Sequence, residues 1–304
     1  MTQDRPVLGI ILMLGFCVLA PLGDGMAKLL GETIAVGLLV LVRFGVQALI
    51  LIPLVAVTGK QWRMTPRVLR LTLIRTLLHI VGITAMFTAL QYMPLADTVA
   101  IAFVMPFIML LLGKYILAEQ VGPRRLIACV VGFIGTLLVI QPSFAQVGAP
   151  ALLPVIVAVV FALFMLVTRQ IAKETDPIAL QAVSGAMATV LLLPVLLLGT
   201  QTSLPLLTLS VPPAEALWLL LAIGVLGTVA HLFMTWSLRY APSATLAPMQ
   251  YLEIPVATLF GWLIFHDLPN GLAALGIGIT IAAGLYVILH ERANARSGPT
   301  ETPA

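Results

Sequence analysis

Apolar runs of roughly 20 residues, each broken by a short polar, Gly or Pro cluster, follow one another along the whole chain. That length suits a helix crossing the hydrocarbon core of a bilayer. The runs lack the strict alternation of barrel strands, and lipid offers the backbone no hydrogen-bond partners, so helices are expected. Cutting at the breaks gives ten spans: 7–30, 34–57, 69–91, 95–115, 124–141, 150–172, 177–199, 214–238, 243–265 and 270–290. The first run continues past Ala20 with no small-x-small cleavage site, so it reads as a retained helix and not a signal peptide.

Composition agrees: 61% of the 304 residues are hydrophobic and 9% charged, against about 25% charged in soluble domains. Charge then orients the chain. With ten spans and the N-terminus inside, the inner segments hold Arg5, Lys60, Arg63, Arg67, Arg70, Lys114, Arg124, Arg125, Arg169, Lys173, Arg239, Arg292 and Arg296. The outer loops hold no Lys or Arg, and the remaining three basic residues, Lys28, Arg43 and Arg75, fall inside spans. Cytoplasmic loops carry the excess of Lys and Arg. A miscounted helix would scatter that asymmetry, so both termini are expected in the cytoplasm, with the chain in the bacterial inner membrane. The basic balance therefore reports topology and not nucleic acid. Cys17 and Cys129 sit in apolar runs without a CxxC and read as small buried hydrophobes.

A short phrase recurs. LQYMPLA at residues 90–96 returns 148 residues later as LRYAPSA at 238–244. Extending that overlay from Ala89–Ile140 onto Ser237–Ile288 gives ten identities in 52 positions, including Gly113/Gly261 and Leu137/Leu285, and sets Glu119 on Asp267. The first copy falls at an outer turn and the second at an inner one. A duplicated unit of five helices must insert upside down, which is the architecture of many secondary transporters. The expected repeats are residues 1–146 and 147–292, followed by a small, polar tail at 293–304 that reads as disordered.

The same residues resemble a known family, the ten-helix EamA-type branch of the drug/metabolite transporter superfamily. The marks are Lys28 late in span one, Arg43-Phe44 in span two and Arg75 in span three. YMPLADTVAI with Pro106 and LAEQ follow in span four, with YAPSATLA and Pro255 in the second half. His266-Asp267 stands where that family usually shows Gly-Glu. The resemblance implies an all-α, basket-like ten-helix carrier of two inverted five-helix repeats. It also implies export of small metabolites, and the length and layout are similar to the YddG-type amino-acid exporters.

Embedded charges cost about 2.5–3.5 kcal/mol at the bilayer centre on insertion scales, so each needs a partner or water. Glu253 lies near the middle of span nine between Pro248 and Pro255, and reads as a substrate-ammonium or proton site or as half of a structural pair. His79 and His231 fall about one helical turn apart on overlay and are candidates to line one cavity. Gln250, Tyr251, Phe103 and Met105, with Met249, complete the candidate substrate surface; Tyr92 and Trp236 read as interfacial anchors. Asp24, Lys28 and Asp97 on the outer side form a candidate latch. Arg43 and Arg75 either gate or snorkel, and Glu119 is expected to pair with Arg124 or Arg125. Pro106 and Pro255 are candidate hinges.

No nucleotide-binding loop, GxSxG, HExxH or Cys/His metal cluster occurs. The reading is therefore not an enzyme, with no cofactor and no metal. It is a secondary transporter working by alternating access, with an amino acid or related metabolite as substrate and protons as a candidate coupling ion. The alternatives are a multidrug or cationic-compound exporter of the same superfamily and a passive channel.

Overall fold

The computed structural model describes residues 5–118, 122–200, 202, 204–209 and 211–296. Twelve α-helices fill it: α1 Pro6–Gly31, α2 Val36–Thr58, α3 Pro66–Leu90, α4 Leu95–Ala102, α5 Met105–Ile116, α6 Pro123–Val147, α7 Leu153–Ile171, α8 Pro177–Gly199, α9 Leu217–Tyr240, α10 Ser243–Gln250, α11 Glu253–Phe265 and α12 Gly271–Arg296. The expected spans map onto them within a few residues at most ends, α8 without any shift. Eight segments are long and apolar enough to cross a membrane. Helix α11 and the first part of α12, Gly271–Tyr286, are shorter apolar helices that complete a ten-span layout, α10 leading into α11. Glu119 and the tail from Ser297 lie outside the described residues, as do the side chains of Arg125 and Pro248.

Local chemistry sets the ends. Proline opens α1, α3, α6 and α8, where its missing N–H has no helical partner to lose. Thr65 caps α3 by accepting from Val68 N at 3.3 Å, and Asp176 caps α8 by accepting from Ile178 N at 2.9 Å. His266 ends α11 in the left-handed region at φ +57°, and Ala118, its partner at the 148-residue offset, has φ +52°. This explains the glycine expected at 266 by family resemblance: a Cβ there is strained. His266→Gly should raise stability by roughly 1 kcal/mol in thermal unfolding; a loss would mean that the imidazole itself is needed.

The repeat is visible in the packing. The pairing of α1 with α9 is matched by α7 with α3, α1 with α11 by α7 with α5, and α4 with α11 by α10 with α5. Helices α2 and α8 pair with each other, as do α6 and α12, as elements on a pseudo-two-fold axis must. Thr280 Oγ1 lies 3.4 Å from the carbonyl of Gly132, its own equivalent.

Helices α6 and α12 meet backbone to backbone, since a Cβ on Gly135 would stand 2.6 Å from the Gly276 carbonyl. Without a hydrophobic force between helices in lipid, such small-residue contacts carry the association. Gly135→Val should cost about 1–3 kcal/mol by overpacking, read by unfolding in detergent; wild-type stability would show that the two helices can part without loss.

Both central crossings are broken. The fourth is interrupted at Phe103 and Val104, the ninth at Tyr251 and Leu252, 148 residues on. At these breaks the bonds turn to the tighter i→i−3 pattern, as in Val104 N to Ile101 O at 3.4 Å and Leu252 N to Met249 O at 3.1 Å. Pro106 and Pro255 fall in the first turns of α5 and α11. Their missing donors stop α4 and α10 from continuing as one helix each. The breaks therefore precede the prolines, with the rings of Phe103 and Tyr251 packed 5.8 Å apart.

Candidate functional site

Seven helices, α1–α4, α7, α9 and α11, with Met105 at the start of α5, enclose a cavity of about 770 Å³ of atom-free space, part of it at an open mouth. It reaches from mid-bundle toward the end that carries turns 31–35 and 91–94: its wall includes Asp24 of α1, Phe87 of α3 and Val99 of α4. Four phenylalanines, Phe16, Phe87, Phe103 and Phe161, supply much of the wall. Asp24, Arg43, His231 and Glu253 supply the ionisable groups. An apolar, aromatic hollow with a few converging polar groups is the usual form of a small-molecule site.

Glu253 opens α11, so the helix break places a carboxylate at a helix N-terminus in mid-bundle. It is 8% exposed and its Oε1 has no partner. The Cys17 thiol lies beside it, within 3.6 Å of the Met249 carbonyl. Among the described residues neither Glu253 nor Asp24 enters a salt bridge. The site therefore holds two carboxylates and one guanidinium without a closed ion pair.

Arg43 Nη2 lies 2.8 Å from His231 Nδ1, while the Gly227 carbonyl lies 2.9 Å from the same nitrogen. Arginine has only donors. Its contact needs an unprotonated Nδ1, whereas the carbonyl needs a proton there. One nitrogen thus faces two incompatible demands, and Arg43 Nη1 has no partner at all.

Below that floor the bundle is polar and closed. His79 stacks at 4.4 Å from the His231 ring and 4.5 Å from Phe164, with both ring nitrogens unpaired. Arg75, fully buried, donates from Nε to Thr168 at 2.8 Å and from Nη1 to Ser184 at 2.7 Å, and lies over Phe164. Gln181 donates to the His231 carbonyl and Thr235, and itself accepts from Gln47. These side chains form a continuous seam across α2, α3, α7, α8 and α9. Beyond it, Lys60 of the α2–α3 loop pairs with Asp176 at 2.5 Å, and Arg67 in the first turn of α3 pairs with Glu174, both reaching the α7–α8 loop.

The sequence candidates separate. Phe103, Met105, His231, Glu253, Asp24 and Arg43 meet at the cavity, while His79 and Arg75 sit beneath it. Gln250 and Tyr251 do not line it. The helix break undoes the i,i+3 alignment expected between Gln250 and Glu253: the Gln250 amide reaches the Met165 sulfur at 3.1 Å, and Tyr251 packs against Gly132.

The outer residues expected to form a latch are not joined by an ion pair among the described residues. Lys28 donates to the Met93 carbonyl at 2.5 Å and Asp97 accepts from Ser143 at 3.2 Å, with no salt bridge from Lys28 to Asp24 or Asp97. Arg75 does not snorkel in this structure: it is fully buried and donates to Thr168 and Ser184. Sequence reasoning overlooked Phe16 and Phe161. Neither ring stands out locally among the apolar residues of its span, and the signal that finds them is the inverted pairing of α1 with α9 and α7 with α3.

Comparison with known proteins places this geometry. The profile of the EamA-like transporter family matches residues 7–141 and again 149–289. A riboflavin transporter of Rhizobium johnstonii is 32% identical over 225 residues, 74% of this chain and 72% of that one. An S-adenosylmethionine uptake transporter of Rickettsia prowazekii is 25% identical over 289 residues, 95% of each chain. A crystal structure of a protein superposes with a TM-score of 0.67 at 18% identity, over 94% of this chain and 97% of that one.

Proposed function

We propose a substrate from the premise that this chain belongs to the EamA-like transporter family and is a membrane transporter: it takes up a flat heteroaromatic metabolite with a polar or charged tail. The observation that carries the reading is the cavity wall, four phenylalanines around Asp24, Arg43, His231 and Glu253. Rings stack a planar heterocycle, and the ionisable groups at one side serve the tail. Riboflavin and S-adenosylmethionine, named for the relatives, both have this form. The amino-acid export expected from sequence finds no support in those names. The mixed charge of the site does suit the amino-acid end of S-adenosylmethionine.

Basic residues would put the end bearing Lys60 and Arg67 in the cytoplasm of a bacterial inner membrane. On that orientation the cavity faces outward, the side from which an uptake carrier loads. The polar seam from His79 to Gln181 would then be the inner half of the path, closed in this state. The halves, residues 1–146 and 147–292, would rock about the breaks beside Pro106 and Pro255. Protons would couple through Glu253, since its unpaired carboxylate shares the cavity with Asp24 and Arg43.

Binding tests the substrate class. Flavin emission should be quenched on titration with the purified carrier, and Phe161→Ala should weaken the apparent affinity about ten-fold, in line with about 1–3 kcal/mol per stacked ring. S-adenosylmethionine is measured in parallel by displacement or calorimetry. Binding of neither compound, with a folded protein, would remove the heteroaromatic assignment.

A further inference from the structure

At the end remote from the cavity mouth, a second concavity lies between the α2–α3 loop, the α7–α8 loop and the end of α9. It is lined by Lys60, Gln61, Arg63, Lys173, Glu174, Thr175, Asp176 and Arg239, around about 630 Å³ of atom-free space open on one side. The opposite end offers a useful contrast: a hollow of about 680 Å³ there has Lys28 and Glu32 as its charged lining. The first therefore carries four cationic side chains against two carboxylates, the second one of each.

The carboxylates in the basic hollow are already engaged. Asp176 uses Oδ1 to cap α8 and Oδ2 to hold Lys60 at 2.5 Å; Glu174 holds Arg67. Arg239 braces the rim by donating to the Thr175 carbonyl at 2.6 Å and the Ala172 carbonyl at 3.3 Å. With its acids paired off, the hollow keeps an excess of positive charge in a concave, three-sided frame. Trp62, 42% exposed in the same loop, belongs to the residue type that settles at headgroup depth.

We propose that this hollow is a binding site for a phosphate group, supplied by the headgroup of an anionic phospholipid of the adjoining leaflet. Basic pockets between spanning helices suit such headgroups, and the leaflet facing the cytoplasm is the anionic one. Because the site joins the loop of one half to the loop of the other, a bound phosphate adds a further tie across the end that is closed here. It draws on Lys60, Arg63 and Lys173 of the lining.

The test is thermal unfolding of the purified full chain in neutral detergent, with phosphatidylglycerol or phosphatidylcholine added at equal concentration. A ligand that binds the folded state alone raises the midpoint. Phosphatidylglycerol should raise it by several degrees more than phosphatidylcholine. Arg63→Gln and Lys173→Gln, singly and together, should reduce that difference by at least half. A parallel arm compares millimolar inorganic phosphate with chloride at equal ionic strength. If phosphate gives a shift that the same variants cancel while the lipids do not differ, the phosphate site stands and its source is soluble, not lipid. A lipid effect undiminished in both single variants overturns the proposal. So does no effect of phosphatidylglycerol or phosphate beyond their controls. Neither readout depends on the transported substrate.

Discussion

Glu253→Gln is expected to lower accumulation driven by a pH gradient at least ten-fold in proteoliposomes, while leaving substrate exchange without a gradient within a few-fold of wild type. The substitution keeps the shape and hydrogen-bonding reach of the side chain and removes its titratable group. Glu253 begins α11 at the break in the ninth crossing, is 8% exposed, and leaves Oε1 unpaired. An ionised carboxylate there, with no salt bridge, bears a penalty of several kcal/mol if water is excluded. The proposed coupling has this group load a proton when the cavity closes and release it when water returns. The groups facing it are Asp24 and Cys17 of α1 and, across the cavity, Arg43 and His231. Accumulation at the wild-type level in Glu253→Gln would assign coupling elsewhere, with Asp24 the next group to replace.

Arg75 should separate structure from transport. Arg75→Ala removes a fully buried side chain that donates to Thr168 and Ser184 and covers Phe164, and should cost about 2–5 kcal/mol through the void it leaves. Arg75→Met refills most of that volume, and volume-conserving swaps cost about 1.5 kcal/mol or less. Replacing a buried charge by an apolar group of its size can even stabilise. If the seam is the inner half of the path, Arg75→Met should melt close to wild type and still transport at least ten-fold more slowly. Near-normal transport in Arg75→Met would make the seam structural and place the inner passage elsewhere.

Much of the fold was legible because the period of apolar runs and the charge of their connections are both local properties. The span cut at 177–199 coincides with α8, Pro177–Gly199. The 148-residue offset was legible too, and it reaches further than the identities: it relates the breaks at Phe103 and Tyr251 and the left-handed stops at Ala118 and His266.

What sequence could not supply is direction around a broken helix. Gln250 and Glu253 share a face only if the helix runs through them, and the tight turn at Tyr251–Leu252 sends one to Met165 and the other into the cavity. Lys28 illustrates a second limit. Asp24 and Asp97 were its expected partners, but Lys28 donates to the Met93 carbonyl, presented by the turn before Pro94. Among the described residues, the pairs Lys60–Asp176 and Arg67–Glu174 join positions more than 100 residues apart in sequence, which no local pattern reveals.

The central claim, uptake of a flat heteroaromatic metabolite, is tested most directly by uptake into proteoliposomes from a mixture of riboflavin, S-adenosylmethionine and the common amino acids, read by mass spectrometry. Saturable uptake of riboflavin or S-adenosylmethionine, reduced in Phe161→Ala, is the expected result. Uptake of amino acids alone, indifferent to the loss of that ring, would contradict it.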